Sequence, residues 1–230
     1  MTTRRQILSP AWLALATLAA TGLAFIGPLQ GAPGAGGKVI ASWQFDEGTG
    51  DTVSGAADGS ASGKIVGARW AEGKTGGALE FEDWSVLDYV HPDVKKATRV
   101  VVSDSGKLDP AGPFSIKAVI YPTRDPVYYG GIIEKGRGYE AAYRLLVLRG
   151  SKIRAIVGTP TLSVTSPDPV SLNAWHEIEM TYDGSALTLS IDGRAAGRAE
   201  GKRTAPSSKD DVVIGERFSG KIDSIELSAR

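Results

Sequence analysis

The 230-residue chain contains no cysteine. Disulfide bridges, catalytic thiolates and zinc–thiolate sites are therefore excluded, and a folded domain must be held together by its hydrophobic core. Net charge is also lacking, because 26 basic residues balance 26 acidic ones. Without a basic excess, we do not expect the chain to bind nucleic acid. Beyond the N-terminus, no segment shows the apolar period of a long helix.

Residues 1–37 are predicted to be an export signal or membrane anchor followed by a short linker. Two arginines precede an uncharged, mostly apolar run, residues 11–26, and small or helix-breaking residues follow it. The segment 3–8 resembles a twin-arginine export signal, with Ser9 at the usual lysine position. The apolar run is shorter than the ~20 residues of a spanning helix. Export is therefore favoured, and a retained membrane anchor stays open as the alternative. We expect contact with a membrane only through this segment, if it is retained.

Residues 38–230 carry the pattern of an all-β domain. Many of the 29 glycines fall between short apolar runs, where tight turns need positive φ angles. The clearest hairpin joins residues 175–182 to residues 186–191, with Asp183-Gly184 at its turn. The sequence therefore predicts about a dozen strands in a two-sheet antiparallel β-sandwich. The expected core residues are Trp43, Phe81, Ile116, Ile178 and Leu189.

Other strands are predicted from shorter stretches that alternate between apolar and polar residues or are rich in β-branched and apolar residues. These stretches are residues 39–45, 64–70, 78–82, 99–103, 114–121, 131–135, 143–149, 152–157, 212–214 and 221–227. Residues 46–63 are polar and rich in glycine, so they are predicted to form a loop.

Four stretches resemble, in order, the laminin-G-like jelly roll of bacterial surface and secreted proteins. The first is residues 42–51, an aromatic strand that leads into a D-E-G-T-G turn, and the second is residues 73–81, which read G-K-T-G-G-A-L-E-F. The third is the W-H hairpin of residues 175–193, and the fourth is residues 213–225. On this resemblance, the chain from about residue 40 onward is identified as a concanavalin A-like jelly roll of the lectin/glucanase type.

No catalytic constellation is visible in the sequence. Hydrolases with this fold carry an E-x-D-x-x-E pattern on one strand, which supplies an acid and a nucleophile. Glu177 and Glu179 come nearest, but no third acid follows at the required offset, and we assign them to the polar outer face of a hairpin. Neither His91 nor His176 pairs with a recognisable serine motif, and His176 is expected to pack inward. The sequence therefore leans against an enzyme.

The resemblance implies a structural calcium ion near the joined ends of the domain. Carboxylates and backbone carbonyls are the hard oxygen ligands that Ca²⁺ prefers. The candidate ligands are Asp46, Glu47, Asp83 and Asp223. The alternative is that these acids cap turns or face solvent, because aspartate is frequent in turns.

Aromatic and arginine side chains in and beside the predicted loops are candidate ligand-binding residues. Sugar recognition uses aromatic faces together with hydrogen-bonding side chains at a groove or rim. The candidates are Trp84, Tyr128, Tyr129, Tyr139 and Arg144. The alternative is that the tyrosines close the border of the core.

These observations together predict an exported, non-catalytic binding or adhesion module. Its expected partner is a carbohydrate or a cell-envelope protein. One alternative is a polysaccharide-active enzyme, a glycoside hydrolase or lyase, which would need a groove lined by at least two carboxylates. Another is a structural part of the envelope, which would show no pocket on its sheets.

Overall fold

The computed structural model describes residues 37–55, 61–82, 98–136, 141–203 and 208–230. These residues form sixteen β-strands and no helix, so the predicted all-β class is confirmed. The described part of the chain accordingly has no helix that is long and apolar enough to cross a membrane. The predicted export signal or anchor lies outside the described residues, apart from its last position.

The strands are numbered in chain order. They are β1 (Lys38–Trp43), β2 (Thr52–Val53), β3 (Gly63–Val66), β4 (Arg69–Glu72), β5 (Gly77–Phe81), β6 (Arg99–Val102), β7 (Phe114–Pro122), β8 (Tyr129–Lys135), β9 (Tyr143–Leu148), β10 (Lys152–Val157), β11 (Leu162–Thr165), β12 (His176–Tyr182), β13 (Ala186–Ile191), β14 (Arg194–Glu200), β15 (Val212–Ile214) and β16 (Gly220–Ala229).

Two antiparallel sheets form a sandwich. Sheet A has the strand order β14-β13-β12-β7-β16-β5-β4, and β1 also pairs with β16. Sheet B has the order β11-β10-β9-β8-β15-β6-β3-β2. Strands remote in the chain are thus neighbours in each sheet, as in a jelly roll rather than a simple meander. This topology brings β15 between β6 and β8, which matters for the site described below.

The core lies between the sheets and is built by strict alternation. In β7 the buried residues alternate with half-buried or exposed ones, so that one face of the strand packs inward. The five predicted core residues, Trp43, Phe81, Ile116, Ile178 and Leu189, are each at most 1% exposed. Each large apolar side chain buried in this way stabilises the fold by about 1.5–3 kcal/mol. The predicted core is therefore confirmed.

Two tight turns explain the ends of predicted hairpins. Gly150 and Ser151 have φ angles of 83° and 54°, and Asp192 and Gly193 have φ angles of 52° and 73°. Two successive positive φ angles define the type I′ turn, whose twist matches that of the flanking strands. The Gly-Ser and Asp-Gly pairs suit these positions because glycine and aspartate tolerate the left-handed region.

The structure corrects the predicted strands in four places. β2, β11 and β14 were not predicted, and β2 lies inside the predicted loop 46–63. The predicted strand 64–70 is two strands, because Gly67 with a φ angle of 70° turns the chain between β3 and β4. The edge strand β14 was missed because its sequence, RAAGRAE, lacks large apolar residues.

Candidate functional site

A cavity of about 670 Å³ lies on the outer face of sheet B, the face turned away from the core. It is formed where β6, β8, β9 and β15 lie side by side. Its lining residues are Arg99, Val101, Tyr129, Glu134, Gly136, Arg144, Asp210, Asp211, Val213, Glu216 and Arg217. The strand residues among them face outward because their neighbours Val100, Val212, Ile133 and Tyr143 are fully buried in the core.

A charged pair forms the centre of the cavity. Glu134 on β8 lies directly opposite Arg144 on β9. Nε of Arg144 donates to Oε2 of Glu134 at 2.6 Å, and Nη2 forms an ion pair with the same oxygen at 2.5 Å. The two side chains are only 11% and 9% exposed for Arg144 and Glu134 respectively. Such a pair is costly to desolvate, so its presence in an outward-facing cavity points to a functional role rather than to stability.

The second carboxylate oxygen of Glu134 is buried without a hydrogen-bond donor among the described residues. Burial raises the pKa of Glu134 above its ordinary value; the Arg144 cation opposes this without overcoming it, and the nearby Glu216 carboxylate adds to the rise. A buried, unsatisfied acceptor with a raised pKa in a cavity is a recognised mark of a binding or reactive site.

Tyr129 forms the aromatic part of the cavity. Its ring is contacted by two guanidinium groups, that of Arg144 at 5.0 Å and that of Arg217 at 5.3 Å from the ring centroid. Cation–π contacts of this kind hold both the ring and the cations in place. Nearby, Arg99 lies 4.0 Å from Glu216. This end of the cavity therefore combines an aromatic ring with hydrogen-bond donors.

The opposite end of the cavity is acidic, and a lysine on the core side of the sheet anchors it. Asp210 and Asp211 are exposed there. Lys135, fully buried on the core side of β8, donates from Nζ to the carbonyl oxygen of Asp210 at 2.9 Å and to Oδ1 of Asp104 at 2.6 Å. Asp104 in turn donates its backbone N–H to Oδ1 of Asp211 at 3.0 Å. These bonds fix the cavity wall to the sheet.

The candidate ligand-binding residues are not all brought together. Tyr129 and Arg144 line the cavity. Tyr128 is 72% exposed and does not line it. Trp84 and Tyr139 lie outside the described residues.

Sequence reasoning missed most of the charged residues of the cavity: Arg99, Glu134, Asp210, Asp211, Glu216 and Arg217. One signal was available. Glu134 ends an otherwise apolar run in β8, and a charged residue in a strand buried almost throughout is unusual.

The candidate calcium ligands meet at one turn. Oδ1 of Asp46 accepts the backbone N–H of Gly77 at 2.6 Å, and Oδ2 of Asp223 accepts that of Thr75 at 2.9 Å. The chain comes so close that a Cβ atom on Gly76, whose φ angle is 72°, would lie 2.3 Å from Oδ1 of Asp46. Both carboxylates thus hold the turn between β4 and β5.

Of the two remaining candidate ligands, the structure describes only Glu47, which bonds to a different segment. Glu47 accepts the backbone N–H of Ser54 through Oε1 at 2.7 Å, and Asp83 lies outside the described residues. Within the described ranges, no three histidine or acidic side chains cluster as a metal site would require. The donor chemistry at Asp46 and Asp223 suits a hard cation, but calcium stays a prediction.

Glu177 and Glu179 lie on the outer face of sheet A, as predicted, and not in the cavity. Glu177 is 2.9 Å from Nζ of Lys117, and Glu179 is 3.5 Å from Arg230. Both glutamates are more than a third exposed in their side chains. They belong to a solvated strand face, where ion pairs contribute little to stability.

His176 packs inward, as expected, but it has partners that the sequence did not reveal. Its Nδ1 lies 2.8 Å from Oδ2 of Asp192, and its Nε2 lies 3.0 Å from Oγ of Ser171. Burial is the largest single influence on the pKa of Asp192 and acts to raise it. Hydrogen bonds from His176 and from the Glu177 backbone together outweigh burial, so the pKa of Asp192 is lowered.

This Ser–His–Asp chain differs from a catalytic triad in two respects. The Asp192 side chain is 48% exposed, whereas the aspartate that orients a triad histidine is buried. Nε2 of His176 also lies 3.0 Å from the backbone carbonyl of Ser171, so the imidazole contacts the loop's main chain as well as its hydroxyl. The arrangement therefore clamps the loop before β12 to the turn between β13 and β14.

A family model matches residues 95–230, well over half of the chain, and carries the description concanavalin A-like lectin/glucanases superfamily. The chain belongs to this superfamily. The concanavalin A-like jelly roll identified from the sequence motifs is thereby confirmed. No curated protein matches the chain.

Solved structures share the concanavalin A-like fold. The binding domain of Paraclostridial mosquitocidal protein 1 is similar at a TM-score of 0.65 and 9% identity, covering 84% of this chain and 49% of that one. Domain 4 of AbnA, a GH43 extracellular arabinanase from Geobacillus stearothermophilus in complex with arabinotriose, is similar at a TM-score of 0.64 and 13% identity, covering 84% and 93%. The binding domain of botulinum neurotoxin DC in complex with SialylT is similar at 0.63 and 10%, covering 84% and 48%.

These similarities differ in how much of each protein they include. The chain spans about half the length of the two toxin binding domains but nearly all of the arabinanase domain. At such low identities, the likeness shows that the jelly roll is shared and does not transfer a ligand.

Proposed function

We propose that the chain is an exported, non-catalytic module that binds carbohydrate in the cavity of sheet B. The observation that carries this proposal is the Tyr129 ring, held by Arg144 and Arg217 at one end of a cavity otherwise lined mainly by polar side chains. Sugars offer apolar C–H faces and many hydroxyl groups, and they are recognised by an aromatic ring together with donors and acceptors.

The structural relatives support a binding role. One was solved with arabinotriose and another with SialylT; the chain matches nearly all of the first protein and about half of the second. A further neighbour is described as dependent on interaction with two ganglioside molecules for cell entry. Glycan ligands therefore recur among proteins that contain this fold, which supports a carbohydrate rather than a protein partner for the present cavity.

The cavity also meets the geometric condition of the enzyme alternative, because several carboxylates line it. Two contacts favour binding over hydrolysis. Arg144 engages one oxygen of Glu134 through Nε and Nη2, and the other oxygen is sealed from solvent, so neither oxygen is open to a glycosidic bond. A general acid must instead present a proton to the glycosidic oxygen.

A pair of adjacent tyrosines provides a direct test of the cavity. Tyr129 lines the cavity, whereas Tyr128 is 72% exposed and lies outside it. We expect Tyr129→Ala to weaken glycan binding by about tenfold, since the ring supplies a contact worth roughly 1.4 kcal/mol. Tyr128→Ala should leave the affinity within about twofold of the parent. Glycan-array screening followed by isothermal titration calorimetry measures both.

Two results would contradict the proposal. One is the absence of binding to any glycan on the array, with pull-down of an envelope protein in its place. The other is an equal loss of affinity in both tyrosine variants, because this would show that the cavity does not hold the ligand. Unchanged far-ultraviolet spectra are needed to show that both variants fold.

Export and calcium complete the proposal. The two arginines and the apolar run at the N-terminus support export through the twin-arginine route. The oxygen ligands of Asp46 and Asp223 support a structural Ca²⁺ at the β4–β5 turn, with affinity in the weak range of extracellular modules, ~10⁻⁴–10⁻³ M.

A further inference from the structure

The two ends of the cavity carry different charges. β8 runs along the cavity floor, and a strand advances about 3.3 Å per residue. Arg217 and Tyr129 lie at the beginning of β8, where the backbone N–H of Gly131 donates to the carbonyl of Glu216 at 2.8 Å. Asp210 and Asp211 lie at its end, next to Val212, which pairs with Lys135. A ligand lying along β8 would therefore meet an arginine at one end and two aspartates at the other.

Arg217 differs from the other two arginines of the cavity. Arg144 is bound to Glu134 at 2.5 Å, and Arg99 lies 4.0 Å from Glu216. Among the described residues, no carboxylate oxygen lies within ion-pair distance of Arg217. Within this part of the chain, Glu134 acts on Arg217 only at longer range, and a guanidinium without a direct ion pair favours a carboxylate or another anion.

The backbone holds Arg217 in an unusual conformation. Its φ angle is 60°, in the left-handed region that residues other than glycine rarely adopt. The turn is fixed by the bond from Phe218 N–H to the carbonyl of Gly215 at 3.1 Å. Strained conformations of this kind persist where the surroundings enforce them, and they cluster at ligand clamps. The turn thus places an exposed guanidinium next to the Tyr129 ring.

We infer that the cavity selects an acidic glycan, a conclusion that rests on the proposed carbohydrate site. The carboxylate of a uronic or sialic acid residue would pair with Arg217 while the sugar ring packs against Tyr129. The neutral part of the chain would extend towards Asp210 and Asp211, whose carboxylates accept hydroxyl groups and repel a second anionic residue. The shared chemistry is a sugar carboxylate; the experiment decides between its two sources.

The test compares matched ligands that differ by the charge of a single carboxylate. The full chain is titrated calorimetrically with galacturonic acid and its methyl ester, and with sialyllactose and its methyl ester. We expect the acidic member of one pair to bind about tenfold more tightly than its neutral partner. This preference should shrink as ionic strength rises, because the cavity end is exposed to solvent.

Two variants separate Arg217 from a general effect of charge. Arg217→Gln should abolish the preference for the acidic ligand, because the affinity for the acidic ligand falls about tenfold further than the affinity for the neutral one. Arg194→Gln removes the same charge from an exposed position on β14 of sheet A and should change neither.

The outcomes distinguish failure of acid selection from failure of carbohydrate binding. Equal affinity for acidic and neutral ligands, or an equal loss for both in Arg217→Gln, overturns acid selection and leaves carbohydrate binding intact. No binding to these four ligands or to any glycan on the array overturns both.

Discussion

Glu134 and Lys135 are consecutive residues that lie on opposite faces of β8. Glu134 faces the cavity and pairs with Arg144, while Lys135 faces the core and holds the loops that carry Asp104 and Asp210. Alternation along a strand makes this division unavoidable. A single strand therefore supplies the charged centre of the site on one side and the anchor of its wall on the other.

Asp104 is the main carboxylate partner of the buried lysine, so its charge should stabilise the fold. The hydrogen bond from Lys135 lowers the pKa of Asp104 below its ordinary 3.8. A depressed folded-state pKa contributes stability that is complete above the unfolded pKa and is lost as pH falls through the folded one. We expect Asp104→Asn to lower the free energy of unfolding by about 2 kcal/mol at pH 7, because a buried cation loses its nearest partner. Urea titration measures this.

The pH dependence distinguishes this interaction from a packing defect. The difference between the parent and Asp104→Asn should shrink as pH falls below about 3.8, since the parent then loses the same charge. Asp168→Asn, at an exposed side chain, is the control and should differ little from the parent. A difference that stays constant down to pH 3 would show that charge is not the cause.

At the scale of the elements, turns decide where strands end and which side chains reach the cavity. The turn after β15 carries Gly215, Glu216 and Arg217, and it closes against the fully buried Phe218. The φ angle of Gly215 is 77°. This turn therefore shapes the cationic end of the site by backbone geometry.

Alanine at Gly215 should test this turn sharply. A Cβ atom there would lie 2.2 Å from the ring of Phe81, which is itself buried. Gly150 makes a matched control, because its φ angle is 83° and no atom lies within 4 Å of its Cβ position. We expect Gly150→Ala to cost about 1–2 kcal/mol from φ alone and Gly215→Ala about 3 kcal/mol or more in urea unfolding. Equal costs would refute the predicted clash.

Much of the sandwich follows from local pattern, and much of the site does not. β10, β13 and β15 have the predicted bounds because each is a short, largely apolar stretch that is followed at once by glycine or by Asp-Gly. The cavity instead depends on pairing between distant residues, such as Glu134 with Val213. A strand pattern shows which face a residue occupies, but it does not show which strand lies beside it. The sequence therefore predicted Tyr129 and Arg144 as candidate ligand-binding residues, but it did not predict that Arg217 lies beside them.

At the scale of the whole molecule, the β4–β5 turn joins the beginning and end of the domain. Asp46 follows β1, and Asp223 lies on β16, the central strand that pairs with β1, β5 and β7. Both carboxylates bind the backbone of this one turn. Each has a second oxygen that can serve a cation, so a bound ion would tie three chain segments together without any disulfide.

Calcium should therefore raise the stability of the entire sandwich. At ten times its dissociation constant, an ion that binds only the folded state adds about 1.4 kcal/mol, which for a domain of this size raises Tm by roughly 3–6 °C. We expect millimolar Ca²⁺ to produce this rise in differential scanning calorimetry and EDTA to reverse it. Mg²⁺ should reproduce little of the rise, because Mg²⁺ demands a tighter octahedral site.

Two variants test whether the response depends on this turn. Asp223→Asn should remove the calcium response, while Asp183→Asn, at the β12–β13 turn, should retain it. Identical Tm values in Ca²⁺ and EDTA would show that the two carboxylates serve the turn alone.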